Sequence, residues 1–165
     1  MNRERIEGMK NSTNYRIREV TWEPKTFVCV RGIVPLDKIG DFIEDNCSQL
    51  LKDLQSKNLC TNGVPFSITH SINNENNMAD IAAAVLCSEA ELQQSNYEIF
   101  VIEGKIISTT HTGYFDNIES AYFALEKFMQ AKNYQKKLYI EEYLGNPSID
   151  PDLNDWKTNL YCVLN

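Results

Sequence analysis

The segment Tyr139-Ile140-Glu141-Glu142-Tyr143 sets two carboxylates among aromatic rings, and Leu144-Gly145-Asn146-Pro147 closes it with a turn signal. On an extended chain, Tyr139, Glu141 and Tyr143 share one face while Ile140, Glu142 and Leu144 share the other. One glutamate then stands in a row of rings. A carboxylate there is costly unless a cation or a hydrogen-bond donor meets it, which is the chemistry of a pocket for a positively charged or polar small molecule. The alternative is an edge strand whose glutamates are solvated and whose tyrosines lie flat on the surface.

Other reactive residue types point to less. His70 and His111, the two histidines, stand without a nucleophile motif nearby and read as packed or surface residues. The five cysteines, Cys29, Cys47, Cys60, Cys87 and Cys162, form no Cys-x-x-Cys pair, so neither a metal site nor a cofactor is expected. Several fall in apolar runs, where cysteine acts as a small hydrophobe, which fits a reduced, cytoplasmic chain.

The elements that must position the glutamate follow from periodicity. From Asp37, the residues Ile39, Phe42, Ile43, Cys47, Leu50, Leu51 and Leu54 recur at helical spacing and predict a helix to about Lys57. A second helix carries Ile118, Ala121, Tyr122, Leu125, Phe128 and Met129, with Asp116 as N-cap and Glu119 as its capping-box partner. Asp37, Ile39, Phe42, Ile43 and Leu50 map onto Asp116, Ile118, Ala121, Tyr122 and Met129 at one offset. The flanks agree as well. Extended stretches precede each helix (Thr26 to Val30, and Tyr97 to Thr112), and two more strand candidates follow each: Val64 to Ser71 with Met78 to Cys87, then Lys137 to Leu144 with Lys157 to Leu164. The run Ala82-Ala83-Ala84 favours helix intrinsically, but its place in the repeat predicts a strand.

The fold class expected is α+β, a duplicated βαββ arrangement with pseudo-twofold symmetry, a mostly antiparallel sheet, two main helices and a groove between the halves. A chain of 165 residues is the size of one domain, read here as a polar tail over 1–14 and a domain over 15–165 with half-repeats at about 15–90 and 95–165. No apolar run reaches membrane-spanning length. The net charge of -7, without a basic patch, argues against direct nucleic acid binding.

Three stretches carry a family resemblance: Ile102-Glu103-Gly104-Lys105 leading into His111-Thr112-Gly113-Tyr114-Phe115-Asp116-Asn117-Ile118, then Glu141 to Pro147, then Trp156-Lys157-Thr158-Asn159-Leu160-Tyr161. The chain after its tail resembles the GyrI-like small-molecule-binding family, the effector-binding domains also fused to AraC-type and MerR-type transcription regulators. The resemblance implies an aromatic groove between two βαββ halves that reads lipophilic, often cationic, compounds, with Glu141 at its floor. Tyr143, Tyr114, Phe115, Tyr122, Tyr139 and Trp156 are then the candidate walls. Each has a structural alternative: Tyr122 as helix core, Tyr114 and Phe115 as a helix staple, Trp156 as a cap on the sheet, with Phe66 read as core. The family often has an acidic residue where this chain has Asn159, which weakens the case for a second pocket carboxylate. The tail is too short for a DNA-binding module, so a stand-alone binding protein is expected. Two other functions stay open: a hydrolase of reactive small molecules with Glu141 as general base, and a gyrase-inhibitor-like module with a protein partner.

Overall fold

A computed structural model of the chain describes residues 15–59, 62–88, 96–113, 117–145 and 156–165. The long strands β1 (Arg18–Pro35) and β4 (Glu98–Thr112) pair antiparallel and begin two successive units of strand, helix, strand, strand. The first unit continues through α1 (Ile39–Ser56), β2 (Phe66–Asn73) and β3 (Met78–Leu86), the second through α2 (Glu119–Lys132), β5 (Lys136–Tyr143) and β6 (Lys157–Leu164). Strand order is β1-β3-β2-β5-β6-β4, closed back on β1 as a barrel, with every neighbouring pair antiparallel. The pairing pattern maps onto itself when the units are exchanged: β1 with β3 becomes β4 with β6, and β2 with β3 becomes β5 with β6. This is the α+β, pseudo-twofold arrangement that the sequence predicts.

The central stretches of the strands bury residues on two faces. Phe27, Phe66, Ile68, Ile106 and Ile140 fill the barrel interior, while the outer face packs under the helices. Leu50 and Leu54 of α1 lie on Val28 and Val85, and Leu125 and Met129 of α2 lie on Ile107 and Leu160. Burial on both faces explains the alanine run in β3. Ala82 and Ala84 face the barrel and Ala83 faces α1, all fully buried, so close packing overrides the helical preference of alanine.

Two boundaries differ from expectation. Helix α1 starts at Ile39, because Leu36–Lys38 forms a 3-10 turn after Pro35 that takes in Asp37. Strand β1 begins well before Thr26, with a register shift between Trp22 and Lys25 that accommodates Glu23 and Pro24, whose ring nitrogen cannot donate to a ladder. Its polar outer residues hide that half from a search for alternation. At the other end of the second unit, Asn133 takes a left-handed conformation (φ 56°) and terminates α2. The tail over 1–14 and the proposed cap Asp116 lie outside the described residues.

Candidate functional site

Alternation along β5 sends Ile140 into the barrel and Tyr139, Glu141 and Tyr143 outward, toward the space between the two helices. Strand pairing fixes this further: Glu141 lies opposite Ser67 of β2 on one side and Leu160 of β6 on the other. The carboxylate is held by two phenols. Tyr122, from α2, donates its hydroxyl to Oε1, and Tyr143 donates to Oε2 at 2.7 Å. Ser67 Oγ lies 2.9 Å from the Tyr143 hydroxyl and donates to it, since the phenolic proton is already committed to Glu141. The Tyr122 ring meets Tyr139 edge-on at 4.9 Å.

Burial first, and the Glu141 charge second, push the pKa of both Tyr122 and Tyr143 above the ordinary phenol value. They therefore remain neutral donors at physiological pH. Among the described residues, Glu141 forms no ion pair. Two lysines of the larger cleft's lining engage rings: Lys136 Nζ lies 4.6 Å from the Tyr139 centroid and Lys127 Nζ lies 5.5 Å from that of Phe123.

Glu141 and Tyr143 sit where two clefts meet. The larger, about 1110 Å³, lies between α2 and the β2 and β5 strands, lined by Tyr122 and Phe123 from α2, Tyr139 from β5, and Thr69, Ser71 and Ile72 from β2. The smaller, about 630 Å³, runs along α1 to Trp156 and Gly145. Both include Ile39, Glu141 and Tyr143. Of the residues singled out from sequence, Glu141, Tyr143, Tyr122 and Tyr139 converge on the first cleft, and Trp156 belongs to the second. Tyr114 and Phe115 lie outside the described residues. Phe66 is core, as read.

Sequence reasoning passed over Phe123 and Ser67. Phe123 is 51% exposed and lines the larger cleft; an aromatic residue off the apolar stripe of α2 was the available signal. Ser67 had no signal in sequence, because only strand pairing brings it to Tyr143. The structure also resolves the role of Asn159. It lies opposite Glu142, on the face away from Glu141, where Asn159 Nδ2 and the Tyr161 hydroxyl donate to Glu142 Oε2 at 3.0 and 2.6 Å. An acidic residue at that position would face Glu142 and not enter the cleft.

Among the described residues, His111 and the cysteines are packed. His111 is buried, its Nδ1 2.7 Å from the Tyr15 hydroxyl, and burial pushes the Cys162 thiol up to about 12. Among the described residues no group of histidine, cysteine and carboxylate side chains could hold a metal ion, and no helix is long and apolar enough to cross a membrane.

This is the GyrI-like fold, as solved structures with low sequence identity share it. The C-terminal domain of EcmrR superposes with a TM-score of 0.76 at 16% identity, covering 92% of this chain and 98% of that one. In an EcmrR–DNA complex the match covers 98% of this chain but 66% of the longer EcmrR chain, so this chain spans just under two thirds of it. SAV2435, solved bound to tetraphenylphosphonium, matches with a TM-score of 0.62 at 15% identity over 92% of this chain and 94% of that one. A hydrolase from Listeria innocua matches at 0.58 and 13%, over 91% and 92%. No family model matches the sequence, and no curated protein matches it either.

Proposed function

We propose that this chain is a small-molecule-binding protein for lipophilic cations, with Glu141 as the anchoring charge and Tyr122, Tyr139 and Tyr143 as the walls around it. The observation that carries the reading is a carboxylate set among rings in the lining of a cleft, held by two neutral phenols and paired with no cation among the described residues. The two phenols fix the orientation of the carboxylate, while the ring faces attract a delocalised cation by about 0.5 to 2 kcal/mol per contact. The tetraphenylphosphonium bound to SAV2435, a protein of the same fold, supports this class of ligand.

The test compares Glu141→Gln with the parent protein against tetraphenylphosphonium and the neutral triphenylphosphine oxide, by titration calorimetry and thermal shift. The expected result is a loss of about tenfold or more for the cation, about 1.4 kcal/mol or more, with the neutral compound little affected. Equal affinity of parent and variant for the cation would remove Glu141 from the site.

A second reading is hydrolysis of a reactive small molecule. The same geometry favours it, because a carboxylate fixed between two phenols is positioned to act on a bound water while a phenol steadies the developing charge. Turnover of an electrophilic ligand by the parent and not by Glu141→Gln selects this reading; binding without turnover selects the first.

A further inference from the structure

The two clefts differ in character, and one charge serves both. The smaller is largely apolar, lined by Ile43, Leu51, Pro65, Ile118 and Trp156, with Asp41 and Glu44 adding acidic charge and Lys157 one basic group. The larger is more mixed, with Glu119, Glu126, Lys127 and Lys136 among its residues. Since Glu141 and Tyr143 belong to both, the anchoring carboxylate lies at the junction and not at the end of either cleft.

Building on the proposed cation site, we infer that the chain selects cations whose charge is central and whose apolar arms point in different directions, with the α1–Trp156 cleft holding the second arm. A cation carrying its charge at one end of a single arm can place that charge on Glu141 and fill only one cleft. An ion such as a tetraarylphosphonium reaches both. The combined space exceeds what a compact ligand fills, given that small-molecule pockets run to roughly 300–1000 Å³.

Two residues of the second cleft, Gly145 and Trp156, are in close contact. A Cβ at Gly145 would lie 2.8 Å from Trp156 Cγ and 3.1 Å from Cδ1, closer than real side chains approach, so the indole keeps its place only while residue 145 is glycine. The strand ends are tied together at this point by the Leu144 amide donating to the Lys157 carbonyl at 2.9 Å. Gly145 does not have a positive φ, so a side chain there acts through the indole and not through backbone strain.

The test reads the ratio of affinities for tetraphenylphosphonium and benzyltrimethylammonium in the parent, Trp156→Ala, Gly145→Ala and Glu141→Gln. The parent is expected to favour tetraphenylphosphonium by about tenfold or more, the scale of one buried apolar group. Trp156→Ala and Gly145→Ala should bring that ratio down about tenfold, chiefly through weaker tetraphenylphosphonium binding. Glu141→Gln should weaken both ligands and leave the ratio near the parent's. A ratio unchanged in both Trp156→Ala and Gly145→Ala overturns the two-arm inference while leaving the anchor intact. Insensitivity of both ligands to Glu141→Gln overturns the anchor reading itself. Two variants guard against a folding defect in one, and melting curves of each identify such a defect.

Discussion

Glu141 and Glu142 are adjacent on β5 and face opposite sides of the sheet, each met by different tyrosines. Glu141 accepts hydrogen bonds from Tyr122 and Tyr143 between the helices, and Glu142 accepts from Tyr161 and Asn159 on the barrel side. Adjacent carboxylates of the same type therefore have different work, set by the strand's two-residue period alone. One lines a cleft and, among the described residues, carries no counter-charge in salt-bridge range. The other closes a hydrogen-bond network in which Thr110 also donates to Asn159 Oδ1, at 2.7 Å.

From this division, Glu142→Ala should act on stability and not on binding. It leaves the Tyr161 hydroxyl and the Asn159 amide without their acceptor, a loss of about 1 to 2 kcal/mol for hydrogen bonds to a partly buried charged group. Chemical denaturation should show that loss, with a melting temperature lower by several degrees for a chain of this size. Affinity for tetraphenylphosphonium should stay within about twofold of the parent, in contrast to Glu141→Gln.

Tyr143→Phe should cost more stability than Tyr122→Phe. The Tyr143 hydroxyl links Ser67 to Glu141, so its removal strands both a serine and a carboxylate oxygen, whereas the Tyr122 hydroxyl has Glu141 as its described partner. A difference of about 1 kcal/mol is expected, the scale of leaving one more buried polar group unpaired. Paired urea titrations of the two variants measure it; equal losses would mean that Ser67 finds another partner.

Much of this was legible in the chain because the governing signals are local. The periods of 3.6 and 2 residues announced both helices and most of β2 to β6, and the repeated order of elements made β3 a strand despite three consecutive alanines. The face shared by Tyr139, Glu141 and Tyr143 also followed from spacing. What sequence did not show depends on elements far apart in the chain. Ser67 reaches Tyr143 only through the β2–β5 pairing, and Trp156 stands apart from Tyr122 because α1, not α2, forms its side of the site. The early half of β1 was missed for another reason: its polar residues flank a bulge and lack a clean alternation.

The four described cysteines should be inert in the native protein. Cys29, Cys47, Cys87 and Cys162 are all buried, and burial raises the thiols of Cys29 and Cys162 to about 12 and that of Cys47 to about 11. At pH 8 the nucleophilic thiolate is therefore scarce as well as sheltered. Peptide mapping after brief treatment with a thiol reagent should find these four positions unlabelled in the folded protein and labelled in urea. Rapid native labelling at any of them would mean that the barrel or its helix layers open readily.

Stability should fall on mild acidification, and His70 should account for part of the fall. The residue occupies the register shift between Thr69 and Ser71, its Nε2 is buried and makes no hydrogen bond among the described residues, and its ring lies 5.1 Å from Phe100. Burial first, and the nearby Arg31 charge second, lower its pKa below the ordinary 6.5, against smaller opposing effects of Asp80 and Glu98. The folded chain thus binds fewer protons at this site than the unfolded chain, so stability is fullest above pH 6.5 and is lost as pH falls from there through the lowered value. Asp80 acts in a lower window. Its carboxylate accepts two hydrogen bonds from Arg31, at 2.8 and 2.7 Å, which hold its pKa below the ordinary 3.8, and its contribution is lost only as pH falls below that value. Denaturation midpoints at pH 7.5, 6.5 and 5.5 should therefore decline in the parent and decline less in His70→Gln. Parallel slopes for the two proteins would assign the acid sensitivity to other groups.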